Sequence, residues 1–215
     1  MFNTLKEMLT LREMTPQLEL KELPYYMERL VFYSNETLSS EYNVLFKEKI
    51  SARGVIVIAI KKDNSKAIIG KITLRPKDRK DGIYVFGELT FKQQLDIGEN
   101  IPSNLMNKKV FQVDGVEILK ELKRQGYGYL LYFILIRLGY IIICDNVQYL
   151  GGQALWKKIA NEAKFNNYQV YVMDNGIFRK RNNKYVFYNG TNIQDSELWS
   201  NNYEKYHTLF VAVSN

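Results

Sequence analysis

Lys123-Arg124-Gln125-Gly126-Tyr127-Gly128 decides how this chain is read, through what lies on either side of it. Val110 to Leu119 before it is an extended apolar segment. Tyr129 to Ile136 after it has the length and character of a buried helix. A strand, a basic glycine-containing turn and a helix in that order make an anion site. Two glycines let the backbone curl so that successive N–H groups point inward, and the helix N-terminus adds partial positive charge. The expected ligand carries phosphates.

Two common phosphate loops do not fit. A Walker A loop needs G-x-x-x-x-G-K-[ST], and the sequence has no such string. A dinucleotide fingerprint needs a third glycine three residues after the second, where Leu131 stands.

The third pattern is [Q/R]-x-x-G-x-[G/A] after a strand, the pyrophosphate loop of the GNAT family of acetyltransferases. Lys123-x-x-Gly126-x-Gly128 resembles it, with lysine at the first position. Ile118 sits where that family has an apolar strand residue. The helix Tyr127–Leu138 ends at Gly139, a suitable C-cap, and Tyr140–Cys144 reads as a fully buried strand. After a polar loop, Asp145 to Gln148, a helix is expected from about Gly151 to Lys164. The family's N-x-x-A-x-x-L-Y string there corresponds to Tyr149 through Trp156, with Tyr149 at the asparagine position and Trp156 at the tyrosine position. The resemblance covers roughly residues 109–173. In its departures and A/T-rich composition the chain resembles acetyltransferase-like proteins of phages and mobile elements.

The resemblance implies an α/β fold, with a mixed, splayed central sheet flanked by helices. It implies acetyl-CoA as acyl donor, held by the backbone near Val116 and Ile118 and by Lys123, Arg124, Gln125, Gly126, Tyr127 and Gly128. Lys120 is a further candidate for the cofactor phosphates. The implied reaction is direct transfer of the acyl group to an amine on a small molecule or protein. An attacking amine must be neutral, so a base or water relay takes its proton while N–H donors steady the developing oxyanion. Asp114 is the first candidate base, with Gln112 on its face by period-two alternation. A slip or bulge at Gly115 selects Glu117 instead. Tyr149 is the candidate acid for the departing thiolate. Trp156 reads as core, and Cys144 as a buried hydrophobe.

Composition sets the bounds. A chain of 215 residues, 46% hydrophobic, can bury one core, so a single domain over 1–215 is expected. Tyr127 to Cys144, the nearest approach to a membrane span, is broken by Arg137 and Gly139. The N-terminus lacks a continuous apolar region and carries the early acid Glu7, unlike a targeting peptide. One cysteine excludes an internal disulfide framework and fits a reducing, cytoplasmic compartment. One cysteine and one histidine exclude Cys/His zinc sites within the chain, and a triad would depend on His207 alone. Chemistry without metal or histidine fits best, and acyl transfer from a thioester is such a reaction. The net charge of +7 suits a polyanion, either CoA or nucleic acid. Lysine, asparagine, isoleucine and tyrosine make up 75 of the 215 residues, all with A/T-rich codons, so base composition alone accounts for much of that charge.

Outside the 109–173 core the expectations are these. Residues 1–14 form an amphipathic helix and Leu18–Lys21 an edge strand. A helix runs from Pro24 to about Tyr33. A third helix is capped by Ser39 or Ser40, with Tyr42, Leu45, Phe46 and Ile50 as its stripe. Val55–Lys61 and Lys66–Leu74 pair through Asp63-Asn64-Ser65. Arg75–Gly82 is a charged loop, Ile83–Phe91 a strand, and 92–108 a long connector that folds over a site. Tyr168–Met173 and His207–Val213 are strands. Between them lies an insertion, 174–206, with its own hairpin turning at Asn182-Asn183. Its cations Arg179, Lys180, Arg181 and Lys184, interleaved with Phe178, Tyr185 and Phe187, suit phosphate contacts and stacking on nucleic acid. A second function follows from the departures noted above: an acetyltransferase fold that only binds, docking on a host protein or nucleic acid.

Overall fold

The computed structural model describes residues 31–51, 54–73, 81–94, 101–144, 149–174, 176–199 and 208–214. The protein is mixed α/β, with antiparallel strand pairs and a parallel pairing of two strands at 110–112 and 141–143. It divides into two compact units, one made of 1–90 with 116–131 and the other of 91–115 with 132–215. The expected helix at 1–14, the strand at 18–21, the 145–148 loop and most of the 75–82 loop lie outside the described residues.

In the first unit the strands are β1 (Val31–Ser34), β2 (Tyr42–Ser51), β3 (Gly54–Lys61), β4 (Lys66–Thr73) and β5 (Gly82–Gln94). β2, β3, β4 and β5 are antiparallel neighbours in that order, and β1 pairs with the start of β5. The 63–65 turn forms as read: Asn64 adopts φ +56°, and the Asp63 carboxylate accepts from the Ser65 N–H at 2.9 Å. Leu38, Tyr42, Val57, Ala59, Ile68, Ile83 and Val85 form the apolar core here.

Two expectations in this unit need correction. Tyr33 does not end a helix, because Val31–Ser34 is a strand paired residue for residue with Val85–Gly82. The third helix is not 40–50 either. Helix α1 is Asn35–Glu41, and its cap is Ser34, whose Oγ accepts from the Thr37 N–H at 3.1 Å. Ser39 and Ser40 sit in its last turn and donate back to the carbonyls of Glu36 and Thr37. Residues 42–51 are β2. Two bulges, between Val44 and Phe46 and between Lys49 and Ser51, break its two-residue period. They leave Tyr42, Leu45, Phe46 and Ile50 at spacings that imitate a helix. β3 has Val57, Ile58 and Ala59 fully or nearly buried and needs a paired edge, which β2 supplies.

β6 (Val110–Ile118) and helix α2 (Tyr127–Arg137) start in one unit and end in the other, as β5 does. α2 is apolar all round: Leu131, Leu135 and Ile136 have no exposed surface, and Leu130, Phe133 and Ile134 almost none. Gly139, at φ +83°, stops it as a C-cap.

In the second unit β7 is Ile141–Ile143, β8 Tyr168–Asp174, β9 Ile177–Phe178 and β12 Thr208–Ser214. Along the sheet the order is β6, β7, β12, β8, β9, with β6 and β7 parallel and the other pairs antiparallel. Helix α3 (Leu150–Glu162) buries Trp156, Ile159 and Ala160, and the Trp156 ring meets Tyr132 edge-on at 5.5 Å. Trp156 and Cys144 are fully buried, as read. The insertion holds β9, the small ribbon β10 (Lys180–Arg181) with β11 (Lys184–Tyr185), and the short helix α4 (Asp195–Leu198).

Candidate functional site

The basic glycine turn between β6 and α2 has a definite geometry in the first unit. β6 ends at Ile118, a 3-10 turn spans Lys120–Leu122, and α2 starts at Tyr127. Between them Arg124 takes φ +65° and Gly126 φ +91°. Two left-handed residues at alternate positions are a feature of the anion-binding nests that main-chain N–H groups form. Glycine suits φ +91°; a β-branched residue there would be strained. The first bond inside the helix runs from the Leu130 N–H to the Gly126 carbonyl at 3.0 Å. The N–H groups of Gly126, Tyr127 and Gly128 thus precede the helical ladder and belong to its positive end. Lys120, Lys123 and Arg124 are exposed around them.

What holds this turn was only partly visible in the sequence. β5 carries a bulge at Phe86, where Ile69 pairs with Gly87 and Gly70 with Val85. The extra residue works twice. Its carbonyl accepts from the Leu119 N–H at 2.8 Å, fixing the chain just after β6. Its ring meets Tyr127 edge-on at 4.7 Å, fixing the first residue of α2. Next to it Gly87 has no side chain because Ile118 fills that space; a Cβ there would lie 2.4 Å from Ile118 Cδ1. Phe86 and Gly87 escaped the sequence reading, in which 83–91 was one plain strand. The only available signal was a glycine inside an apolar strand pattern, which marks a bulge or a close approach.

The other residues of the turn divide by role. Gln125 ties back to the Glu121 carbonyl through Nε2 at 3.2 Å, so its side chain braces the turn. Tyr127 is buried, and among the described residues its phenol has no hydrogen-bond partner. Burial pushes its pKa above the usual tyrosine value, so it stays a neutral donor. Val116 and Ile118 are half-buried, and Glu117 between them is exposed.

Asp114 belongs to the second unit, and its carboxylate pairs with Lys92 Nζ at 2.9 Å near the end of β5. Both are solvent-accessible, so the pair contributes little stability. Lys92 is a partner that the sequence reading did not name. Gln112 reaches the Cys144 carbonyl through Nε2 at 3.5 Å. Among the described residues β6 and β7 pair from Val110–Ile141 to Gln112–Ile143, where β7 ends, and β6 runs on to Ile118. Tyr149 stands at the N-cap of α3, 82% exposed, with Leu150 beside it equally exposed.

The hairpin 177–188 also differs from its expected use. Phe178, Tyr185 and Phe187 all contact the ring of Tyr171 on β8, at centroid distances of 5.8, 6.1 and 4.8 Å. Phe178 is buried and Tyr185 half-buried against that ring, while Phe187 keeps an exposed face. Arg179 makes two hydrogen bonds to Asp174, of 2.7 and 3.0 Å.

No protein-family model matches this chain, and no curated protein matches it significantly in sequence. Among the described residues no group of His, Cys, Asp or Glu could hold a metal ion, and no helix is long and apolar enough to cross a membrane.

Proposed function

We propose that this protein is a GNAT-like N-acetyltransferase that binds acetyl-CoA at the turn 119–128 and passes the acyl group directly to an amine. The observation that carries the reading is the left-handed pair Arg124 and Gly126 directly before the buried helix α2. That geometry collects main-chain donors at a helix N-terminus, as a pyrophosphate requires. The exposed Lys120, Lys123 and Arg124 add the charge that a polyanionic cofactor seeks. The donor set therefore suits the ligand.

Acetyl-CoA would supply the acyl group as a reactive thioester. The chain's own part is to hold the pyrophosphate, offer N–H donors and receive the amine's proton. Asp114 is the base we favour, with Glu117 the alternative on the same strand. The amine nitrogen forms the new C–N bond, the C–S bond breaks, and CoA leaves as a thiolate that takes a proton from solvent, while the base returns the amine's proton to solvent. Thiol release with a panel of small amines and lysine peptides tests the proposal. Release that depends on both enzyme and amine is the expected result. A protein that binds CoA yet releases no thiol with any amine would leave the binding-module alternative.

A further inference from the structure

We propose that the tip of the 177–188 hairpin docks on the sugar–phosphate backbone of a nucleic-acid duplex, a function separate from the cofactor turn. The sequence Lys180-Arg181-Asn182-Asn183-Lys184 forms the tip, and all five residues are exposed. Asn182 and Asn183, at φ +51° and +60°, make the tight two-residue turn. The register sets Arg181 directly opposite Lys184. Like charges facing each other across two strands destabilise a ribbon. Among the described residues neither has a carboxylate partner, in contrast to Arg179, which Asp174 neutralises. The third cation, Lys180, lies over the Tyr185 ring at 4.7 Å and keeps its charge. A self-repelling cation pair at an exposed turn is relieved by an anion.

The partner's chemistry follows from what the tip lacks. The exposed apolar residues of the hairpin, Ile177 and Phe187, lie at its base, leaving cations and amides at the end. A protein interface is usually anchored by buried aromatic or aliphatic side chains, and single-stranded nucleic acid by stacking. A membrane-bound hairpin would present apolar residues for insertion. A duplex backbone asks only for cations and hydrogen-bond donors, and it is read without regard to sequence. The ribbon is also held firmly enough to present them. The Arg179 N–H donates to the Val172 carbonyl at 2.9 Å, and the Tyr188 N–H to the Val170 carbonyl at 2.8 Å.

The test is fluorescence anisotropy of the whole protein with two unrelated 20-base-pair duplexes across a salt series. Three phosphate contacts predict a slope of log K against log salt near −2.7, at about −0.9 per contact. The variant K180Q/R181Q/K184Q should lose most of that slope and keep its circular dichroism. Equal affinity for both duplexes is expected. Absence of binding at low salt, a slope unchanged in the triple variant, or preference for anionic lipid vesicles over duplex would each overturn the proposal. CoA affinity of the triple variant is measured alongside. Failure of duplex binding leaves the cofactor reading intact, and failure of CoA binding leaves this one intact.

Discussion

The turn 119–128 and the hairpin tip 180–184 are both short, basic and built on left-handed residues, yet they meet anions in different ways. In the turn the left-handed positions are Arg124 and Gly126, directly before the first residues of a buried helix, whose N–H groups have no partner in the helical ladder. Those donors have fixed positions, braced by the Phe86 carbonyl and ring and by Gln125. At the tip the left-handed residues only reverse the chain, and the charge sits on long, exposed side chains. Fixed donors suit a compact group of one shape; mobile cations suit a line of charge. The first site should be sensitive to backbone changes and tolerant of salt, and the second the reverse.

If the turn feeds chemistry and the tip does not, the largest effect of any single change should come from the base. Asp114→Asn is expected to lower turnover by roughly 100- to 10,000-fold with CoA affinity nearly unchanged. The loss should shrink at high pH, where more of the acceptor amine is already neutral. Near-normal turnover at neutral pH would move the role to Glu117.

A backbone change in the turn comes next. Gly126→Ala puts a side chain at φ +91° and should cost about 1–2 kcal/mol. That corresponds to a fall in melting temperature of roughly 2–8 °C, read by circular dichroism, together with weaker CoA binding. Arg124→Gly sharpens the comparison, because it removes a cation while suiting the backbone at φ +65°. It should weaken CoA by roughly 3- to 10-fold, the scale of one exposed charge interaction, at little cost in stability. A loss of 100-fold or more would mean that charge, not backbone geometry, dominates the turn. The smallest effect belongs to K180Q/R181Q/K184Q, which should leave the CoA dissociation constant within about twofold, the shift expected when exposed charges act only through screening solvent.

How well the sequence could be read followed the local physics of each segment. The strand, turn, helix and strand from Val110 to Ile143 were legible because apolar runs, two glycines and the Gly139 stop all point the same way. The Asn182-Asn183 and Asn64 turns were legible because asparagine tolerates left-handed backbone. β2 was not, since two bulges shift its apolar residues into helix-like spacing. Within the candidate site Gly126 could be seen as a turn residue, but Gly128 lies inside α2 without a left-handed φ, and the second left-handed position is Arg124; the supports of the turn could not be seen. The Phe86 bulge and the fit of Ile118 over Gly87 depend on pairing with β4 and on the path of β6, which no local pattern encodes. The Lys92–Asp114 pair brings together residues from two separate strands, β5 and β6. The aromatic residues of the hairpin looked free for stacking because nothing nearby in sequence announces Tyr171 as their partner.

The central claim is that 119–128 holds a pyrophosphate by its backbone, and titration calorimetry with Gly128→Glu tests it most directly. Wild-type protein should bind acetyl-CoA, CoA and desulfo-CoA with similar affinity, since the thiol plays no part in phosphate recognition. In Gly128→Glu a carboxylate replaces a hydrogen beside the helix N-terminus, so it competes for the donors and repels the phosphates. All three ligands should bind at least about 100-fold more weakly, a loss of roughly 2.7 kcal/mol or more, with circular dichroism unchanged. A folded Gly128→Glu protein that binds CoA as wild type does would contradict the account.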